Sequence, residues 1–176
     1  MIKMNNSNET RLIESLKTFG CIVEGDFKLK NGETSNVYYD IKSIISHPIL
    51  FQHLCEELIN LLPNELINFR LIMGIPYGGL PLASYLSITN NKPLIYPRNK
   101  KKEYGTKKRV EGTYRQGQSV VIIDDVITTG GSLKEAIILA RDELKLNVVA
   151  CLAIVNRNCI KEIEGIPIMS LINPCT

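Results

Sequence analysis

The sequence predicts an α/β fold, a parallel sheet with helices on both faces, and three observations predict it. Apolar runs of strand length alternate with stretches of helical periodicity through most of the chain. One run, Val120–Ile123, passes through two adjacent carboxylates and a glycine-rich turn directly into a helical pattern beginning at Leu133. Ahead of all this, Phe27–Lys30 and Val37–Lys42 flank Asn31-Gly32, a hairpin signal. Strands that alternate with helices form parallel sheets covered on both sides.

The elements follow in order. Glu9–Phe19 carries Leu12, Ile13, Leu16 and Phe19 at helical spacing, and Gly20 stops it. After the hairpin, Pro48 opens a helix whose Leu50, Leu54, Leu58 and Leu61 form one core-facing stripe, ended by Pro63. Leu71–Met73 is a buried strand, followed by the loop Gly74–Pro81 and a short helix to about Ser87. Leu94–Tyr96 and Val120–Ile123 are the next strands, then the helix Leu133–Leu144, and finally the strands Val148–Val155 and Ile166–Leu171. There is no repeat and no interdomain linker, so residues 1–176 are expected to form one domain. Ligands of such sheets sit outside the carboxyl ends of the strands. The ends at Met73, Tyr96, Ile123 and Val155 are expected to meet at one site.

Composition narrows the classes. A hydrophobic content of 44% supports a core, and a formal charge of +3 is too mild to indicate nucleic acid by itself. The start, MIKMNNSNET, has no apolar signal region, and no apolar run approaches membrane-spanning length of about 18 residues. A cytoplasmic protein is the expectation. The five cysteines (Cys21, Cys55, Cys151, Cys159 and Cys175) form no C-x-x-C pair. Several of them lie in apolar surroundings and are expected to be reduced core residues. His47 and His53 fit no catalytic pattern and read as structural.

The segment VVIIDDVITTGGS carries the chemistry. Consecutive backbone N–H groups over Thr128, Thr129, Gly130, Gly131 and Ser132, at a helix start, suit a phosphate. Asp124 and Asp125, at the end of a buried strand, suit ribose hydroxyls or Mg²⁺-bound water. Neither a P-loop nor a dinucleotide G-x-G-x-x-G fingerprint is present. The loop GIPYGGLP, with Tyr77 and Gly78, is a second turn of the same kind. Between two core strands, Arg98–Arg109 holds seven of the 21 basic residues. In isolation that run reads as a solvated loop, a localisation-like patch or an RNA-binding patch. Here it is placed to close over a polyanion and exclude water. Lys30 with Tyr38 and Tyr39 suits a hood over a planar anionic base, and Arg157 suits its carboxylate or carbonyl edge.

The order FKLKNG…VYYDIK, GIPYGGLPLA, R-x-x-x-K-E-YGTKK-x-VEG, VVIIDDVITTGGS and VNR resembles the orotate phosphoribosyltransferase family along nearly the whole chain. The acid pair and TTGGS resemble the 5-phosphoribosyl 1-pyrophosphate (PRPP) signature of type I phosphoribosyltransferases. The resemblance implies a phosphoribosyltransferase core with a hood built from residues 1–45 and the C-terminal residues. It implies transfer from PRPP to orotate, giving orotidine 5′-monophosphate and pyrophosphate in pyrimidine synthesis, with Mg²⁺ held mainly through PRPP. It further implies a homodimer whose basic loop, 98–111, is shared across subunits, with no nucleic acid or membrane partner.

Carried over by position, Lys102 is the catalytic loop lysine. Arg98, Lys101, Lys102, Tyr104, Tyr77 and Gly78 bind PRPP, with Arg98, Lys102 and the Gly78 backbone at its pyrophosphate. Asp124 and Asp125 hold the ribose, Thr128–Ser132 the 5-phosphate, and Lys30, Tyr38, Tyr39, Thr128 and Arg157 surround orotate. The chain departs from the pattern at Asn99 and Gly78, where lysines are common, at Asn36 in place of a proline, and at Asn156 in place of an aspartate. The sequence stops soon after Ile172, and no fused decarboxylase is expected. Two alternatives carry other features. A purine phosphoribosyltransferase would lack the early LKNG…YYD segment and the YGTKK loop. A non-catalytic PRPP-sensing regulator would be free to lose Lys102.

Overall fold

A computed structural model of the chain describes residues 6–28, 32, 34–98 and 109–175. Helix α1 (Asn6–Thr18) buries Leu12 and Leu16 and leads into a two-stranded antiparallel hairpin, β1 (Ile22–Lys28) and β2 (Thr34–Tyr39). The second arm of this hairpin lies three residues earlier than the expected Val37–Lys42. It ends at Tyr39, and a 3-10 helix, Ile41–Ser46, follows. The turn is made by Asp40, whose carbonyl accepts hydrogen bonds from both the N–H and the hydroxyl of Ser43. It lets Ile41 and Ile44 enter the core together, which an extended chain with alternating faces would not permit.

Helix α2 (Pro48–Ile59) starts at its proline, as the sequence indicates, and buries Leu54, Cys55 and Leu58. The main sheet then assembles from β3 (Leu71–Gly74), β4 (Leu94–Pro97), β5 (Val110–Glu111), β6 (Ser119–Ile127), β7 (Asn147–Asn156), β8 (Glu162–Ile163) and β9 (Ile166–Ile172). The order is β5-β4-β3-β6-β7-β9-β8. The five inner strands are parallel, as expected, and the two-residue strands β5 and β8 close the edges antiparallel. Short edges of this kind limit unwanted pairing with other chains.

Side-chain alternation gives the sheet two cores. Ile72, Val121 and Ile123 point to one face, against α1, α2 and α3 (Gly79–Thr89). Leu71, Met73, Val120 and Ile122 point to the other, against Leu133, Ala136 and Ile137 of α4 (Gly131–Ile138). Each fully buried aliphatic side chain contributes about 1.5–3 kcal/mol relative to exposure. α4 is shorter than the expected Leu133–Leu144 helix: from Leu139 to Glu143 it widens into a π-helical turn.

One further expectation needs correction, and one feature is not foreseen in the sequence. Strand β6 does not stop at Ile123. β7 is ten residues long and offers ladder partners past that point, Asp124 to Ala153 and Ile127 to Asn156, so the strand continues through the acid pair. The cysteines also divide. Cys21, Cys55 and Cys151 are buried free thiols, and desolvation pushes the Cys55 pKa up to about 12. Cys159 and Cys175, however, form a disulfide that ties the C-terminal segment to the turn after β7. Strand β9 places these two cysteines side by side although they lie 16 residues apart.

Candidate active site

The acid pair sits where two neighbouring strands stop matching. β3 pairs with β6 only as far as Gly74 and Ile123. Beyond that register β6 keeps β7 on one side, and the chain leaving β3 fills the other. Asp124 and Asp125 are 8% and 6% exposed, among the few buried charged residues. Strand alternation sends Asp124 to the α4 face, where burial raises the pKa of Cys151 and the Asp124 charge adds to it, and Asp125 to the face of the 3-10 helix and α3. Burial holds the Asp124 pKa well above the ordinary carboxylate range, and the adjacent Asp125 pushes the same way. The Asp125 N–H, donating to Asp124 Oδ1 at 2.9 Å, offsets part of this.

Asp125 Oδ2 is buried, and no donor meets it with hydrogen-bond angles. Lys42 Nζ stands 3.0 Å away, an ion pair by distance, and the Lys42 side chain is 63% exposed against 9% for Asp125. Partial burial lowers the Lys42 pKa, but the contact with Asp125 and its charge raise it more, so the ammonium is favoured. Sequence reading missed Lys42; its only signal was a place just after VYYD.

The two turns at the strand ends converge on this pair. The chain from Gly74 to Gly79 lies directly on it: the Ile75 N–H donates to Ile123 O at 2.9 Å. A Cβ at Gly78 would stand 2.1 Å from the Asp125 carboxyl, and one at Gly79 would stand 2.3 Å from Ile123 O. Only glycine permits this approach. Tyr77, joined to Pro76 by a cis peptide, is largely exposed. On the other side, Thr128, Thr129, Gly131 and Ser132 are exposed and Gly130 is buried. Gly130, at φ +77, is the N-cap of α4, so the N–H groups of the first turn open toward the site.

The hairpin and the end of β7 also meet. The Arg157 guanidinium lies 5.6 Å over the Tyr39 ring, and its Nη2 donates to Ser35 Oγ at 2.9 Å. Desolvation raises the Tyr39 pKa, against the pull of Arg157, so the phenol stays protonated. Tyr38 is exposed and packs on Phe27 at 5.4 Å between ring centroids. Ser35 is a second residue that no sequence motif singles out. Asn156 is buried and closes the turn that carries Arg157, donating to Ile160 O at 2.8 Å and accepting from the Ile160 N–H. Arg98 is paired with Glu111, and its N–H donates to Arg109 O. Lys30, Lys101, Lys102 and Tyr104, with Asn99, lie outside the described residues.

Among the described residues no group of three His, Cys, Asp or Glu side chains is arranged to hold a metal. The donor set that is present, two adjacent carboxylates with one bound to an ammonium, fits Mg²⁺ only as an ion that keeps its waters and relies on phosphate oxygens. No helix of the described residues is long and apolar enough to cross a membrane.

An acid pair on a parallel strand, between two turns open to phosphate, matches a known class. Residues 40–170 match the family model of the phosphoribosyl transferase domain. The orotate phosphoribosyltransferase of Methanocaldococcus jannaschii is 39% identical over 129 residues, 73% of this chain and 72% of that protein. That of Pyrococcus horikoshii is 40% identical over 147 residues, 83% of this chain and 78% of that protein. The crystal structure of the Aeropyrum pernix orotate phosphoribosyltransferase superposes with a TM-score of 0.82 at 31% identity, covering 92% of this chain and 93% of that one. The chain belongs to the phosphoribosyltransferase family and, within it, to the orotate phosphoribosyltransferases.

Proposed function

We propose that this chain transfers the 5-phosphoribosyl group from PRPP to orotate, releasing pyrophosphate and forming orotidine 5′-monophosphate. The observation that supports this best is the buried acid pair seated between two turns at adjacent strand ends, together with the Tyr39–Arg157–Ser35 contacts between the hairpin and the end of β7. A donor carrying a phosphate at one end and a pyrophosphate at the other needs two such turns, with ribose-binding acceptors between them. Asp124 and Asp125 accept from the ribose hydroxyls. The N–H groups from Thr128 to Ser132 hold the 5-phosphate, and Tyr77 and Gly78 lie on the pyrophosphate side. Tyr38, Tyr39, Thr128 and Arg157, with Lys30, take orotate: a flat ring against aromatic faces, a carboxylate against a guanidinium.

Leaving of pyrophosphate develops negative charge on it and positive charge on the ribose. Arg98, Lys101, Lys102 and Tyr104 meet that anion, Lys102 carrying most of the effect. Arg98 exchanges Glu111 for it. Mg²⁺, bound with PRPP, supplies further neutralisation. Orotate's ring nitrogen needs mainly orientation, and no general base is assigned. The single domain of residues 1–176, the pairing of two copies with loop 98–111 shared between them, and a cytoplasmic location complete this reading.

Loss of orotate absorbance in the near ultraviolet, with PRPP and Mg²⁺, tests it, with uracil, adenine and hypoxanthine as competing bases. A site built around a buried carboxylate partner rejects uracil by about four orders of magnitude. Equal efficiency with uracil, or a preference for a purine, would overturn the orotate assignment. Lys102→Ala is expected to lower kcat far more than it weakens PRPP binding.

A further inference from the structure

Lys42 has no part in the reaction as proposed, yet it touches the acid pair. It follows the hairpin on the 3-10 helix Ile41–Ser46, where burial of Ile41 and Ile44 fixes the turn and leaves Lys42 exposed. Its ammonium lies 3.0 Å from Asp125 Oδ2, and among the described residues it is the only cation in ion-pair contact with either carboxylate. The same carboxyl also lies against the Gly78 backbone, so close that a Cβ there would overlap it. Asp125 thus touches a glycine and a lysine from two different segments.

Without Lys42, two adjacent carboxylates repel and Asp125 has no reason to stay folded against Gly78. We propose that Lys42 is a positioning residue for the phosphoribosyl donor, holding Asp125 by Oδ2 so that the other carboxylate oxygen faces the ribose. The inference rests on the ribose role proposed for the acid pair. It also couples the hairpin to the sheet, because Lys42, three residues after the orotate-facing Tyr38 and Tyr39, contacts the Asp125 carboxylate on β6.

The test compares wild type, Lys42→Met, Lys42→Gln and Lys42→Arg by calorimetric PRPP binding in the presence of Mg²⁺, and by steady-state kinetics. The Met and Gln variants are expected to bind PRPP about tenfold more weakly, between the effect of an exposed ion pair and that of a buried one. KM for PRPP rises in step and kcat stays within about twofold. Arg restores affinity to within about threefold of wild type. In an Asp125→Asn background, Lys42→Met should change kcat/KM for PRPP less than about twofold, because both act through one carboxylate. A merely structural lysine would instead lower the melting temperature and shift both substrates alike, with no dependence on Asp125. Unchanged PRPP affinity in Lys42→Met, or the same tenfold loss in the Asp125→Asn background, overturns the role of Lys42 alone. A wild-type chain that binds no PRPP overturns the ribose site and Lys42 with it.

Discussion

The two turns flanking the acid pair leave neighbouring parallel strands at the same end of the sheet, but different forces shape them. The turn after β6, Thr128–Ser132, is set locally. Gly130 takes a left-handed conformation, caps α4, and opens the first helical N–H groups to solvent. The turn after β3 is set from outside. Gly78 and Gly79 have no such backbone demand; they are required by what lies against them, the Asp125 carboxyl and Ile123 O. One turn presents donors through its own conformation. The other yields space so that a residue of the next strand can be held. A phosphate cradle and an acid support therefore look alike in sequence, as glycine-rich turns, and differ in which neighbour depends on the glycine.

The largest expected effect comes from the carboxylates between the turns. Replacing Asp124 and Asp125 together by Asn removes two charged acceptors, each worth about 1.5–3 kcal/mol to a hydrogen-bonded partner. Orotate turnover, as kcat/KM for PRPP, should fall by about a hundred- to ten-thousand-fold. Stability should move the other way. Burial and the Asp125 charge hold the Asp124 pKa well above its usual range, so its ionised form opposes folding, and Asn relieves that cost. The melting temperature should be equal to or above that of wild type. Near-wild-type turnover, or a collapse in stability, would mean that the pair is structural rather than poised for a ligand.

Gly78→Ala sharpens the contrast. The added Cβ would lie 2.1 Å from the Asp125 carboxyl, so the carboxylate must swing away or the turn must lift. Displacements of about 1 Å at a reacting site cost on the order of a hundredfold in rate. We expect that loss in kcat/KM, with the melting temperature little changed because the φ of −69° suits alanine. If Gly78→Ala were instead destabilising with PRPP binding intact, the turn would owe its shape to its own backbone, and the distinction between the turns would fail.

The same distinction explains what was legible in the sequence. The five parallel strands and the helices could be read because periodicity is local, and the acid pair and TTGGS because the turn's conformation follows from its own residues. The limits of β6 could not, since its extension to Ile127 depends on the length of β7. The contacts of Lys42 and Ser35 could not be read for a similar reason: nothing near Ser35 announces a partner 122 residues away, yet Arg157 donates to it. The Cys159–Cys175 pair is another case, because two cysteines 16 residues apart with no C-x-x-C spacing give no pairing signal until β9 folds back beside β7. The phosphate side of the site is written in contiguous motifs. Its orotate side is written in contacts between the hairpin and the end of β7.

The smallest expected effect belongs to Gly130→Ala, which separates two penalties within the locally shaped turn. A residue with a Cβ pays about 1–2 kcal/mol in the left-handed region. That corresponds to a melting temperature lower by about 2–8 °C for a chain of this size. The new Cβ would also stand 2.4 Å from Ile163 Cδ1, the far end of a flexible side chain on the short edge strand β8. Ile163→Val removes that methyl group. The double variant Gly130→Ala/Ile163→Val should therefore recover the part of the loss due to crowding and keep the part due to φ. Calorimetric melting of the four proteins in this cycle measures both parts, with each single variant as the reference for the double. KM for PRPP should rise only a few-fold, because the first N–H groups of α4 still face the same way. Full recovery in the double variant would show that crowding alone was at stake and that the left-handed cap is not what shapes the turn.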